Sequence, residues 1–241
     1  NGRRLVSANK AALAERWAEF EPFLQAGSVY LEAAVMAGVP VIGSLTGALR
    51  GCSPVALHAV LNGTCNVILS AMEQGVEYGD ALADAQQRGY AEADPTLDVG
   101  GFDAAHKLSL LARLAFDPGI DYRDVAANTR GIADVTATQV AAHAARGRSV
   151  RLVGSIVPDG DAWRARVRPV SLPREHPLVM SGPTNTMLFT GDPLGTVSLR
   201  GPGAGGGATA SAVVADVLAA LGGALGHRPL RSPVRAPGDV D

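Results

Sequence analysis

The sequence predicts an α/β protein, and three observations carry that prediction. Short apolar runs alternate with helical patterns through the first half of the chain. From Ser149 to Leu199 the hydrophobic period becomes two, broken by turn residues, as antiparallel hairpins require. At 241 residues and 47% hydrophobic, the chain can bury a proper core as one large domain or two small ones.

Composition narrows the partners. Net charge is -2 and no block of like charges stands out, which argues against nucleic acid and anionic membranes and for small molecules. Cys52 and Cys65 are too few for a disulfide framework and fit a reduced, cytoplasmic protein. No apolar run reaches the ~20 residues of a membrane-spanning helix. Asn1-Gly2-Arg3-Arg4 before Leu5-Val6 reads as a turn entering a strand, so the chain is expected to open inside a fold already under way, as a fragment or processed product.

Taken in order, Leu5 to Ala8 is a strand, and Asn9 caps a helix from Lys10 to Leu24 that Pro22 bends or ends. Val29 to Leu31 is a second strand, followed by a short alanine-rich helix ending at Gly38 and a buried extended segment from Val39 to Ile42. Val55 to Leu61 is a strand in which His58 is a packed or edge residue. Asn62-Gly63-Thr64-Cys65-Asn66 opens the helix that continues from Val67 to Met72; amides and a hydroxyl at a helix N-terminus suit a polar or anionic group, or serve simply as an N-cap. Tyr78 to Arg88 is an amphipathic helix stopped by Gly89. Further helices are predicted over 121–127 and 136–145. Val150 to Val157 and Trp163 to Val170 form a hairpin with one polar, arginine-bearing face, and Thr186 to Thr190 pairs with Thr196 to Leu199; together they suggest a mixed sheet covered on one side.

The densest polarity lies between Gly89 and Lys107. Glu92, Asp94, Asp98 and Asp103 crowd a stretch whose first part Pro95 and Gly100-Gly101 keep out of a regular helix. From Asp103, apolar residues recur at helical spacing as far as Phe116, so Asp103 and Lys107 share a helix face, acid before base. That pair alone could be a surface ion pair. Three more acids just upstream favour a site, because clustered carboxylates need a cation, a lysine or a polar ligand among them, and a substrate ammonium would suit.

Gly201-Pro202-Gly203-Ala204-Gly205-Gly206 satisfies a G-x-G-x-x-G pattern before a helix from Thr209 to Leu221. A dinucleotide fingerprint also needs a following strand and an acid about 20 residues on. Gly222-Gly223, Pro229, Pro233 and Pro237 cannot supply that strand, so the pattern reads instead as a loop permitting close packing at a domain junction.

The stretch G-Y-A-E-A-D-P-T-L-D-V-G-G-F-D-A-A-H-K-L, from Gly89 to Leu108, closely resembles the signature of the homoserine dehydrogenases. The likeness extends to Ser7-Ala8-Asn9-Lys10 and to residues 30–42, 61–66 and 203–216, and is weak between Val125 and Gly191. Cys65 and Val67 replace the threonine and tyrosine commoner in that family.

The resemblance implies the remnant of a Rossmann-type nucleotide-binding domain plus a mixed-sheet substrate and dimerisation domain with helices. Residues 1–38 would be the C-terminal part of the nucleotide-binding domain, 39–200 the substrate-binding and dimerisation domain, 201–225 a glycine loop and helix returning to the nucleotide-binding domain, and 226–241 a flexible tail. It implies interconversion of L-homoserine and L-aspartate 4-semialdehyde with NADP or NAD, in threonine, methionine and isoleucine biosynthesis, by a homodimer. Lys107 would be the acid/base and Asp103 would orient it; Glu92 would bind the substrate ammonium, with Asp98, Tyr90, Thr64 and Lys10 at the substrate. Lys10, Gly63, Asn66, Gly203 and Gly205 would meet the cofactor. A sodium ion would lie among Glu32, Val35, Ala37 and Val39, where spacing alone gives only a tight turn. With a reference pKa of about 10.4, a lysine base calls for a perturbed environment or an alkaline optimum. The alternatives are a non-catalytic dimerisation or ligand-binding fragment and a related amino-acid or aldehyde reductase.

Overall fold

The structure is a computed structural model and describes residues 2–236. Leu5–Val6 (β1) and Val29–Tyr30 (β2) pair in parallel, Leu5 opposite Val29. Parallel strands need a crossover, which α1 (Lys10–Glu15) and α2 (Trp17–Gln25) supply. Asn9 caps α1 as its sequence position suggests, its side chain accepting the Ala12 amide at 3.1 Å.

After α3 (Val41–Thr46) the chain builds a five-stranded antiparallel sheet in the order β5-β4-β3-β6-β7. The strands are β3 (Ser53–Val60), β4 (Arg148–Asp159), β5 (Ala162–Pro173), β6 (Thr184–Asp192) and β7 (Gly195–Pro202). Parallel and antiparallel pairing are thus both present, but in separate sheets. Between β3 and β4 come α4 (Gly63–Met72), α5 (Tyr78–Gln87), the single turn α6 (Thr96–Val99), α7 (Phe102–Ala115), α8 (Tyr122–Ala127) and α9 (Ala137–Ala144). The last helix is α10 (Gly206–Leu221).

The period of two decides which sheet face is covered. Leu57 lies opposite both Ile156 and Phe189, and these side chains join the main core beneath the helices. Val60, Val153 and Leu188 point the other way and meet only Leu178 and the partly buried Val170 and Leu172. The central helix is α7, buried from Asp103 to Leu114. It approaches the sheet at Gly154, where an added Cβ would come within 3.1 Å of Leu108.

Four local expectations change. The helix expected over 10–24 is two helices broken at Arg16, and Pro22 sits inside the second without ending it. The alanine-rich helix shrinks to a 3₁₀ turn, Glu32–Ala34, because the chain then takes left-handed conformations at Met36 (φ 58°) and Ala37 (φ 51°). Residues 41 and 42 are helical rather than extended: the Glu32 carboxylate accepts the Ile42 and Gly43 amides at 2.9 and 2.7 Å, capping α3 from a distance and overriding the β-propensity of Val and Ile. The expected flexible tail is packed at least to Ala236. His227 N donates to the Val29 carbonyl and Val234 N to that of Phe116, Trp163 Nε1 donates to the Val234 carbonyl, and Ala236 is buried. The rest of that tail, 237–241, and Asn1 of the opening turn lie outside the described residues.

Candidate active site

The site is assembled where the two sheets meet, on three helix starts. Asn62 caps α4, accepting the Cys65 amide at 2.8 Å through Oδ1. Its Nδ2 is thereby left to donate, at 2.7 Å to Asp98 and 2.9 Å to Asp103. Gly101, at φ 83°, turns the chain from α6 into α7, a conformation a side chain would strain. One turn into α7, Lys107 Nζ lies 2.7 Å from Asp103 Oδ2 and 2.8 Å from the Leu61 carbonyl oxygen. Lys10, at the start of α1, reaches Asp103 Oδ1 at 3.1 Å. The chain contains two lysines, and both converge on this one carboxylate.

Burial and charge set the ionisation of the acids. Burial works to raise the Asp103 pKa, but Lys107 and Lys10, with hydrogen bonds from Lys107 and Asn62, overcome it and hold the group at about 2. Asp98 goes the other way: burial raises it, helped by the nearby Asp103 charge and opposed mainly by the Asn62 hydrogen bond. Burial also raises the Cys65 thiol, which donates to the Asp98 carbonyl at 3.2 Å. Asp94 faces away; its Oδ1 accepts the Thr96 amide and hydroxyl and starts α6.

A cavity of about 550 Å³ opens over this cluster. Lys107, Asp103, Asp98, Glu92, Tyr90, Thr64, Lys10, Gly63, Gly203, Gly205 and Ala37 all line it. A groove of equal volume between α9 and β5, beside Arg130 and His143, contains none of the signature residues, so chemistry rather than size distinguishes the two. Four sequence-predicted residues lie outside the cavity lining. Asn66 is buried and donates to the Met180 and Gly182 carbonyls at 3.0 and 2.6 Å, tying down the segment before β6 instead of facing a ligand. Glu32, Val35 and Val39 are buried beside the cavity, with the Glu32 carboxylate committed to α3 and 3.3 Å from His227 Nε2.

One residue escaped the sequence reading. Asn185 Nδ2 donates to the same Leu61 carbonyl that Lys107 binds, at 3.0 Å, and an added Cβ on Gly203 would lie 2.1 Å from its Cγ. Nothing in the spacing marks Asn185. Lys10 and Lys107 carried a signal that was there to read: a chain with 21 basic residues uses lysine at just these two positions.

The glycine loop is open to solvent at the start of α10. Added Cβ atoms on Gly205, Gly206 and Gly207 would meet nothing within 4 Å, leaving bare backbone at the N-terminus of the 16-residue α10.

Fold and site together define the class: a two-sheet α/β protein whose junction holds a buried lysine on an ionised aspartate. The homoserine dehydrogenase family model matches residues 40–218. A homoserine dehydrogenase of Synechocystis is 42% identical over 213 residues, covering 85% of this chain and 49% of that protein. An NAD(+)-dependent homoserine dehydrogenase of Pseudomonas canavaninivorans is 36% identical, with 85% and 58% covered. Among solved structures, a homoserine dehydrogenase from Thiobacillus denitrificans superposes with a TM-score of 0.83 at 37% identity, over 90% of this chain and 51% of that one. A hyperthermophilic archaeal homoserine dehydrogenase in complex with NADPH superposes with a TM-score of 0.77 at 30% identity, over 92% and 65%. The chain belongs to the homoserine dehydrogenase family, and it spans about half the length of the curated relatives it matches.

Proposed function

We propose that this chain carries the substrate-binding and acid–base part of an NAD(P)-dependent homoserine dehydrogenase, which interconverts L-homoserine and L-aspartate 4-semialdehyde on the route to threonine, methionine and isoleucine. One observation carries the reading. Lys107 has three N–H bonds as an ammonium and spends two, on Asp103 and Leu61, leaving one for an oxygen in the cavity.

When bound, a nicotinamide dinucleotide supplies or takes up the hydride. The chain's own residues handle the proton. In the reducing direction, Lys107 donates a proton to the aldehyde oxygen as that oxygen gains electron density; in the oxidising direction, the neutral amine takes the hydroxyl proton. Asp103 holds Lys107 on its helix face and stays ionised beside it. Glu92, exposed at the cavity rim, meets the substrate ammonium, while Asp98, Thr64, Tyr90 and Lys10 complete the substrate's surroundings and the dinucleotide lies along Gly63, Gly203 and Gly205 on the same cavity wall.

On this reading residues 1–38 and 201–225 belong with the nucleotide-binding part and 39–200 with the substrate and dimerisation part. Exposed Leu5, Val214, Leu218 and Leu221 give the remainder of a relative-length chain an apolar surface to cover. On the same reading the protein works as a homodimer. A sodium ion at the Met36–Ala37 turn would be held by the main-chain carbonyls of Val35, Ala37 and Val39, since the Glu32 carboxylate is already engaged. No helix among the described residues is long and apolar enough to cross a membrane, and unpaired Cys52 and Cys65 accord with the cytoplasm.

The test is a homoserine-dependent rise in NADH or NADPH absorbance, measured on the full-length polypeptide that contains this sequence. Turnover of homoserine above related amino alcohols supports the reading. Turnover of another amino alcohol in its place, or of none, overturns it.

A further inference from the structure

We infer that His106 and Glu15 are positioning residues for the lysine–aspartate site, setting α1 against α7 so that Lys10 is held on Asp103. This rests on the function proposed above for its kinetic arm and on geometry alone for the other. Helix α7 presents Asp103, His106 and Lys107 at i, i+3 and i+4, so Lys107 is not the only side chain on the face that starts at Asp103. Helix α1 answers with Lys10 at one end and Glu15 at the other. The two contacts run in opposite senses: Lys10 to Asp103 at 3.1 Å, and His106 Nε2 to Glu15 Oε1 at 2.7 Å.

The histidine is the fixed partner. Its side chain is 4% exposed against 51% for Glu15, and its ring stacks on Tyr122 of α8 with centroids 4.3 Å apart and planes 13° from parallel. A carboxylate only accepts, so Nε2 carries the proton and donates it along a direction the stacking sets. The movable partner is α1. With six residues it depends on its packing for its place: Leu13 and Ala14 are buried, and its side-chain polar contacts to α7 lie at its two ends. Lys10 is more than a third exposed and has no other ion pair among the described residues, so its place over Asp103 depends on where α1 lies. The His106–Glu15 bond supplies the second point that fixes that helix.

Two measurements test this on the full-length polypeptide. The first needs no turnover: labelling by an amine-reactive reagent, resolved by peptide mass spectrometry, reads Lys10 and Lys107 separately. Glu15→Ala, at a half-exposed position that does not threaten folding, should raise the Lys10 labelling rate several-fold and leave Lys107 unchanged; Glu15→Gln, which keeps an acceptor, should fall between. The second is a double-mutant cycle on kcat for homoserine oxidation. Glu15→Ala should lower kcat by about tenfold, the scale of losing one charge-assisted hydrogen bond, yet cost nothing further in a Lys10→Met background. Unchanged Lys10 labelling, or additive effects of the two substitutions, overturns the inference. An inactive wild type with the labelling result intact overturns the proposed function instead.

Discussion

Lys107 Nζ sits 2.7 Å from Asp103 Oδ2, one helical turn along α7, and both side chains are nearly excluded from solvent. Charge neutralisation explains why such a pair survives burial: two ions lose their water together and regain it as a hydrogen-bonded contact, with Asn62 and the Leu61 carbonyl filling remaining positions. Removing the lysine therefore has a kinetic consequence. Lys107→Ala should lower kcat by about 10²- to 10⁴-fold, the usual range for a lost acid–base group, with homoserine binding near normal. Steady-state kinetics and equilibrium binding on the full-length polypeptide check it; an unchanged kcat removes Lys107 from the reaction.

Asp103 makes stability depend on acid. Its folded pKa is depressed from 3.8 to about 2, so the stabilisation is present above pH ~4 and is lost as pH falls through about 2. The amount is about 2 kcal/mol, from a shift of roughly that size in pH units. Asp98, raised instead, is most favourable to the folded state when protonated and contributes a loss as pH rises through its folded pKa. Denaturant titrations between pH 2 and 5 should show the Asp103 loss in the wild type and its absence in Asp103→Asn, in which burial still raises Asp98 but the Asp103 charge no longer does.

Gly203 is a packing prediction. A Cβ there would overlap the Asn185 amide, which holds the Leu61 carbonyl in place for Lys107. Gly203→Ala should cost about 1–3 kcal/mol by overpacking. It should also lower activity, whereas Gly206→Ala, where a Cβ meets nothing, should leave stability nearly unchanged. Thermal denaturation of the two variants separates them.

Glu32 caps α3 from outside the helix. Glu32→Ala leaves the Ile42 and Gly43 amides without their acceptor in a buried setting and should cost about 2–4 kcal/mol, read by urea unfolding. Glu32→Gln keeps one acceptor and should recover part of the loss.

Most strands and the long helices were legible because each element's periodicity is a local property. Ser53–Val60 and the hairpin strands are short apolar or alternating runs set off by turn residues, and Phe102–Ala115 recurs at helical spacing, whatever they pack against. The signature from Gly89 to Leu108 likewise carried the candidate acids and lysine, since they are close in sequence. What failed was decided at long range. Residues 41 and 42 became helical because the Glu32 carboxylate accepts the Ile42 and Gly43 amides, and 227–236 became ordered because β2, Phe116 and Trp163 offer it partners.

The sequence by itself determined that Asp103 and Lys107 share a helix face, because 3.6 residues per turn permits nothing else. Only the tertiary structure decided that Lys10, 93 positions earlier than Asp103, closes on the same carboxylate, and that Asn185 rather than Asn66 supports the site. Those contacts join helices and strands from both sheets. No local pattern encodes them; they follow from how the elements pack together.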